Sequence, residues 1–195
     1  SASASSISGV DVFAGRLVRG LRNRGVDARL IGPDPGKSDS PLGAPADLPF
    51  VIRDPRTHDE LISYEARWRV AVEQVESFAP CIYIPDYDFD WSCICPQLSG
   101  LVRVVGIGHS DDPRHYDILS RIGHACDAIV GVSGAITSHM RTIAPAFSEK
   151  LHTVPYGVAP PEKSAKQLLP IRLQRQPGDT LRLVYTGRLV LYQKR

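Results

Sequence analysis

The chain has 195 residues, of which 43% are hydrophobic and 23% charged, and its formal net charge is +2. This is ordinary globular composition, which excludes a disordered tail, a collagen-like repeat and a coiled coil. The near-zero charge argues against non-specific nucleic-acid binding, which normally shows a basic excess, and four cysteines are too few for a disulfide-dense scaffold.

Cys81, Cys93, Cys95 and Cys126 sit in apolar runs, where a reduced thiol packs as a small hydrophobe, so a cytoplasmic setting is expected. No stretch approaches the roughly 20 apolar residues that cross a bilayer. Residues 1–8 carry neither the basic nor the apolar region of a signal peptide. Met140 is the only methionine, so Ser1 reads as a cut or processed end.

In chain order, apolar residues at Val10, Phe13, Leu17 and Leu21 predict a helix over 10–23, stopped by Gly25, with Arg16, Arg19 and Arg22 on a solvated face. Residues 27–31 read as a strand, 32–47 as a Pro/Gly/Ser-rich loop and 48–52 as a second strand. Leu61, Trp68, Val72, Val75 and Ala79 mark a long amphipathic helix over 57–78, ended by Pro80. A strand at 81–84, a polar aromatic loop and a helical turn near 91–98 follow. The near-continuous apolar run 101–107 reads as a strand covered on both faces.

Pro113 can open a helix running to about residue 125, and Ser133 can cap another running to about 141. Residues 128–132 and 151–154 are strands, 160–179 a proline-punctuated connector and 181–185 one more strand. Strand and helix alternate, the pattern of an α/β, Rossmann-like, doubly wound parallel sheet. The opening helix has no strand before it, and the closing strand lacks what should follow, so both ends read as truncated. The absent first strand would lie mid-sheet and leave unpaired backbone edges.

Four segments, in order and at their spacing, resemble the retaining GT-B glycosyltransferases of glycosyltransferase family 4 (group 1). Ser8-Gly9-Val10-Asp11 before an amphipathic helix that ends at Arg24-Gly25-Val26 is similar to that family's glycine loop, first helix and turn. The segment 126–133 (CDAIVGVS) looks like its strand and cap, and 151–158 (LHTVPYGV) like its strand ending in Pro-Asn-Gly-Val. Leu183 to Leu189 with Gln193-Lys194 looks like the opening of its second domain. The chain departs from the pattern at Ser8, at Tyr156 where the family has Asn, at Ala159 and at Arg195. The resemblance implies the N-terminal half of a GT-B fold: an acceptor-side domain over 1–159, a connector over 160–179, and a donor-side strand and phosphate-clamp loop over 180–195.

It implies a retaining, metal-independent transferase that moves a sugar from a nucleotide diphosphate to an acceptor hydroxyl. Gly9, ahead of a helix N-terminus, would let a diphosphate approach backbone N–H groups, although a plain turn glycine reads alike. Arg188 and Lys194 match the family's diphosphate clamp; without the motif they would be a solvated basic tail. His109 matches its active-site histidine and ends a strand at the carboxyl edge where open α/β sheets place ligands. Gly9 and His109 are thus expected to face a shared cleft. Asp111 and Asp112 would bind acceptor hydroxyls or cap the next helix, one of them at least being a cap.

The alternating carboxylates Asp86, Asp88 and Asp90 could hold a divalent metal. The metal independence of the resembling family favours an acceptor surface at Asp88 instead. Cys93 and Cys95 lack a second ligand pair for zinc and read as buried thiols.

No cofactor is expected beyond the donor substrate. The expected partners are a nucleotide sugar and a carbohydrate or lipid-linked acceptor, with no nucleic acid. A peripheral contact at the inner membrane face is an option for the arginine face of the first helix. The 195 residues alone are expected to be inactive. Two other classes stay open, a non-catalytic nucleotide- or ligand-binding α/β module and a GT-B-type sugar-nucleotide epimerase. Gly187-Arg188-Leu189 with Lys194 favours transfer.

Overall fold

The structure is a computed structural model that describes residues 9–32, 49–85 and 89–157, with Gln167 and Gly178. The chain divides into two compact units, Ser1–Tyr156 and Gly157–Arg195. The connector at 160–179, apart from those two residues, and the strand and clamp loop at 180–195 lie outside the described residues.

Helix α1 spans Gly9–Arg22. Gly25 terminates it in the left-handed region (φ 83°) that a side chain resists. The Val26 N–H donates to Leu21 O (3.1 Å) and the Gly25 N–H to Arg22 O (2.9 Å), which satisfies carbonyls that the helix end leaves open. The following strand, β1, is Leu30–Gly32 and begins three residues later than the alternation predicts. Polar interactions claim the intervening residues: the Asp27 carboxylate accepts from Arg29 (2.8 Å) and Arg22 (3.2 Å), and the Ala28 N–H closes on Val26 O. Strand β2, Phe50–Ile52, pairs with β1 in parallel, Leu30 opposite Phe50.

The expected long helix at 57–78 is two elements. A 3₁₀ turn covers Pro55–His58, and α2 covers only Tyr64–Glu76. The break has a local cause. Asp59 accepts the Leu61 N–H (2.9 Å), and the Ser63 hydroxyl accepts the Ala66 N–H (3.2 Å), so Ser63 starts a new helix. Leu61, placed on the core stripe by periodicity, is 94% exposed.

Strand β3 is Cys81–Tyr83, α3 is Phe89–Cys93 and a 3₁₀ turn covers Cys95–Gln97. Strand β4, Val102–Gly108, is buried over most of its length, as its unbroken apolar run requires. Helix α4 is Pro113–Ile122, β5 Ala128–Gly131, α5 Gly134–Ile143 and β6 Leu151–Thr153, with a 3₁₀ turn at Pro145–Lys150. Pro113 at the first position of α4 and Ser133 as the cap of α5 match expectation, the Ser133 hydroxyl accepting the Ile136 N–H at 3.3 Å.

The architecture is α/β. A four-stranded all-parallel sheet, in the order β3-β4-β5-β6, is flanked by helices. One apolar cluster joins that sheet to its helices: Val75 of α2, Trp91 of α3, Val104 of β4, Leu119 of α4, Ile129 of β5 and Met140 of α5 are each at most 3% exposed. Burying each such side chain contributes about 1.5–3 kcal/mol. The β1–β2 pair does not continue this sheet. Among the described residues β1 pairs only with β2, and β3 only with β4. Among the described residues the parallel strands thus form two ladders, an α/β arrangement compatible with the Rossmann-like fold expected from the alternation.

Candidate functional site

His109 immediately follows β4, at its carboxyl end. Its ring is met from two other parts of the chain. Phe13, on the first turns of α1, packs edge-on against it at 4.9 Å between centroids. Tyr156, just beyond β6, lies nearly parallel to it, 5.9 Å between ring centroids with the planes 14° apart, and points its hydroxyl at Nδ1 from 2.5 Å. Phe13 and Tyr156 also touch, at 5.2 Å. Behind His109 the buried His115 of α4 approaches edge-on at 6.2 Å. Three segments distant in sequence thus close around one imidazole outside the carboxyl ends of β4 and β6, where open parallel sheets collect ligands.

Sequence reasoning placed His109 there but missed Phe13 and His115. Phe13 was counted only as core, and His115 is one of six histidines with no motif of its own. Tyr156 was visible as a departure from the family pattern, which was the signal that could have found it.

Gly9 is the first residue of α1 and exposed, and a Cβ built on it would meet nothing within 4 Å. That leaves an open approach to the first N–H groups of the helix. Gly9 precedes Phe13 by one helical turn, about 6 Å of rise. His109 meets α1 at Phe13, and no described contact joins it to Gly9 itself.

Asp112 is the cap of α4. Its carboxylate accepts the Arg114 N–H at 2.9 Å, and Arg114 side-chain and backbone hydrogen bonds hold its pKa below the usual carboxylate value. Asp111 belongs to a different hollow. It accepts the Tyr116 hydroxyl at 2.6 Å, and with Tyr116 and His139 it lines a cavity of about 510 Å³ between α4 and α5. Burial, and then the Asp111 carboxylate, raise the Tyr116 phenol pKa well above its ordinary value. Asp88, Arg188 and Lys194 lie outside the described residues.

The four cysteines are free thiols. Burial pushes Cys95 up to about 12 and Cys126 up to about 11, so neither is a thiolate nucleophile near neutral pH. Among the described residues no three His, Cys, Asp or Glu side chains are grouped to hold a metal ion. No described helix is long and apolar enough to cross a membrane.

No protein-family model matches the chain, and no curated protein matches it.

Proposed function

We propose that the chain is the acceptor-side part of a retaining glycosyltransferase, which moves a sugar from a nucleotide diphosphate to an acceptor hydroxyl with configuration kept. The observation that carries this reading is the aromatic enclosure of His109 by Phe13 and Tyr156 at the carboxyl ends of β4 and β6. An imidazole met edge-on by Phe13 and bonded at Nδ1 by Tyr156 offers a polar ring beside aromatic surface, which suits a sugar with its alternating hydroxyl and C–H faces. In this reading His109 contacts the transferred sugar or the acceptor. The N-terminus of α1 at Gly9 receives the departing diphosphate, whose charge backbone N–H groups and the helix dipole stabilise.

Arg188 and Lys194 complete the clamp by their motif, and that motif favours transfer over epimerisation or simple binding. Arg188→Ala is then expected to weaken donor binding.

The chain should be titrated with UDP- and GDP-sugars at millimolar concentration while the amide resonances of residues 9–13 and the His109 ring are followed. The reading requires both sets to move together with a nucleotide sugar. Movement of neither, up to the solubility of the donors, overturns it. Movement of the Gly9 amides alone, equally with inorganic pyrophosphate, supports the simple binding module instead.

A further inference from the structure

The core-facing stripe of α2 runs on past the core. Tyr64, Trp68, Ala71 and Val75 follow one another at helical spacing. Ala71 and Val75 are buried, Trp68 is half-buried and Tyr64 is 57% exposed. The Tyr64 and Trp68 rings are 6.1 Å apart between centroids with their planes at 52°, so together they make an angled aromatic wall at the start of the helix.

Two polar groups of opposite kind adjoin the rings. The Arg67 guanidinium lies 4.1 Å over the Tyr64 ring. Its side chain has no hydrogen-bond or ion-pair partner among the described residues, and its Nε is buried. The Trp68 indole N–H donates to Asp90 of α3 over 3.4 Å, a long bond that leaves carboxylate lone pairs open. Asp90 also fixes where the wall stands. Helix α3 is the next element after β3, and the Tyr83 hydroxyl at the end of β3 donates to Trp91 O (3.0 Å). Strand β4 pairs with β3 in parallel, and His109 follows β4. The wall and His109 thus share the carboxyl edge of one sheet, whose neighbouring strands are about 4.8 Å apart.

We propose that the wall of Tyr64 and Trp68, with Arg67 and Asp90, seats a neutral oligosaccharide, which is the acceptor of the transfer. The role as acceptor rests on the glycosyltransferase reading, whereas capture of a glycan does not. A sugar ring sets C–H faces on aromatic carbons and carries hydroxyls that both donate and accept. A guanidinium only donates and an ionised carboxylate only accepts, so Arg67 and Asp90 together meet both capacities. The charge balance disfavours an anionic lipid headgroup. Residues 53–69 carry four arginines and four acidic residues, and Asp90 adds a carboxylate at the wall itself. A surface without a basic excess does not concentrate anions.

The chain has two tryptophans, and Trp91 is 3% exposed, so Trp68 is the one a ligand reaches. The two indole N–H resonances of the full chain are followed while neutral oligosaccharides of α- and β-linked glucose, mannose and galactose are added without any nucleotide sugar. Inositol phosphate, the lipid-headgroup probe, goes into a separate sample. The proposal predicts that at least one glycan shifts the Trp68 indole saturably and leaves Trp91 in place. Affinity should fall on the order of tenfold or more in Tyr64→Ala and in Arg67→Met. It should stay within about twofold in Ile143→Ala on α5. The Ile129 amide of β5 reports that each variant is folded. The proposal is overturned if no glycan shifts Trp68, if Tyr64→Ala binds as well as the parent, or if only inositol phosphate moves that indole. Nucleotide sugars that move residues 9–13 and His109 while no glycan binds leave the transferase standing and remove the wall. A glycan that binds while those residues ignore every donor leaves a glycan-binding wall and overturns its role as acceptor site.

Discussion

Tyr156 and His109, 47 residues apart, meet ring to ring with the phenol hydroxyl at Nδ1. A hydrogen bond at one imidazole nitrogen fixes which tautomer the ring prefers and how it is turned. Tyr156→Phe keeps the ring and removes the hydroxyl that meets Nδ1. Tyr156 is 42% exposed, so the fold should lose no more than about 1 kcal/mol, the usual net worth of one hydrogen bond. The His109 ring nitrogens, however, should change their tautomer balance, visible in their ¹⁵N shifts. Unchanged shifts in the variant would show that the phenol does not set the state of the ring.

Gly131→Ala should be costly for a different reason. A Cβ at this end of β5 would lie 2.5 Å from Thr137 Oγ1 and 3.1 Å from the Thr137 backbone nitrogen. Thr137 is fully buried, with its hydroxyl bonded to Ser133 O and Thr153, so it has no room to yield. Overpacking of this kind costs about 1–3 kcal/mol. The urea midpoint of Gly131→Ala should fall accordingly, while Gly9→Ala, which meets nothing, should fold like the parent. Equal midpoints for Gly131→Ala and the parent would mean that α5 does not sit this tightly on β5.

Most of the parallel α/β pattern could be read from the sequence, because burial on both faces writes an unmistakable apolar run, as in β4. Helix starts were equally legible: Ser133 acts through a bond to the N–H three residues on, and Pro113 through a fixed φ and a missing N–H that suit the first helical position. What failed were places where two local signals compete. The apolar stripe carried the helix at 57–78 straight through Asp59 and Ser63, although side chains of that kind bond the backbone in preference to the helix. Tertiary convergence was less legible still. Nothing in the spacing of Phe13, His109 and Tyr156 says that they touch; that follows only from the order of β4 and β6 in the sheet.

Two of the carboxylates whose pKa is lowered should carry part of the fold's loss in acid. The Val104 N–H (2.8 Å) lowers the Asp127 pKa most, with the Arg103 guanidinium (2.7 Å) adding to it, and Arg114 bonds lower that of Asp112. A carboxyl with a depressed folded pKa stabilises above its unfolded value, near 3.9, and loses that contribution as pH falls through the folded value. The contribution of these two carboxylates should therefore stay constant from neutral pH down to about 5 and fall away below about 4. Asp112 is the more telling of the two, being a buried cap. Asp112→Ala should cost about 1 kcal/mol at pH 7 and much less at pH 2.5. A cost that does not shrink in acid would show that the cap does not act through its charge.

The buried thiols give a separate handle on the core. Cys126 lies against the sheet at Gly106, with burial raising its pKa to about 11, and Cys95 sits below Trp91 with its pKa at about 12. Thiolate is the reacting species, so at pH 8 each is at least about a thousandfold depleted in it. Cys81 and Cys93 are only partly buried. A disulfide reagent should therefore label those two first and reach Cys95 and Cys126 only at the rate at which the core opens. Urea below the unfolding midpoint should speed the second pair and leave the first nearly unchanged. Rapid labelling of all four without denaturant would mean that the cluster around Ile129 and Met140 is not closed.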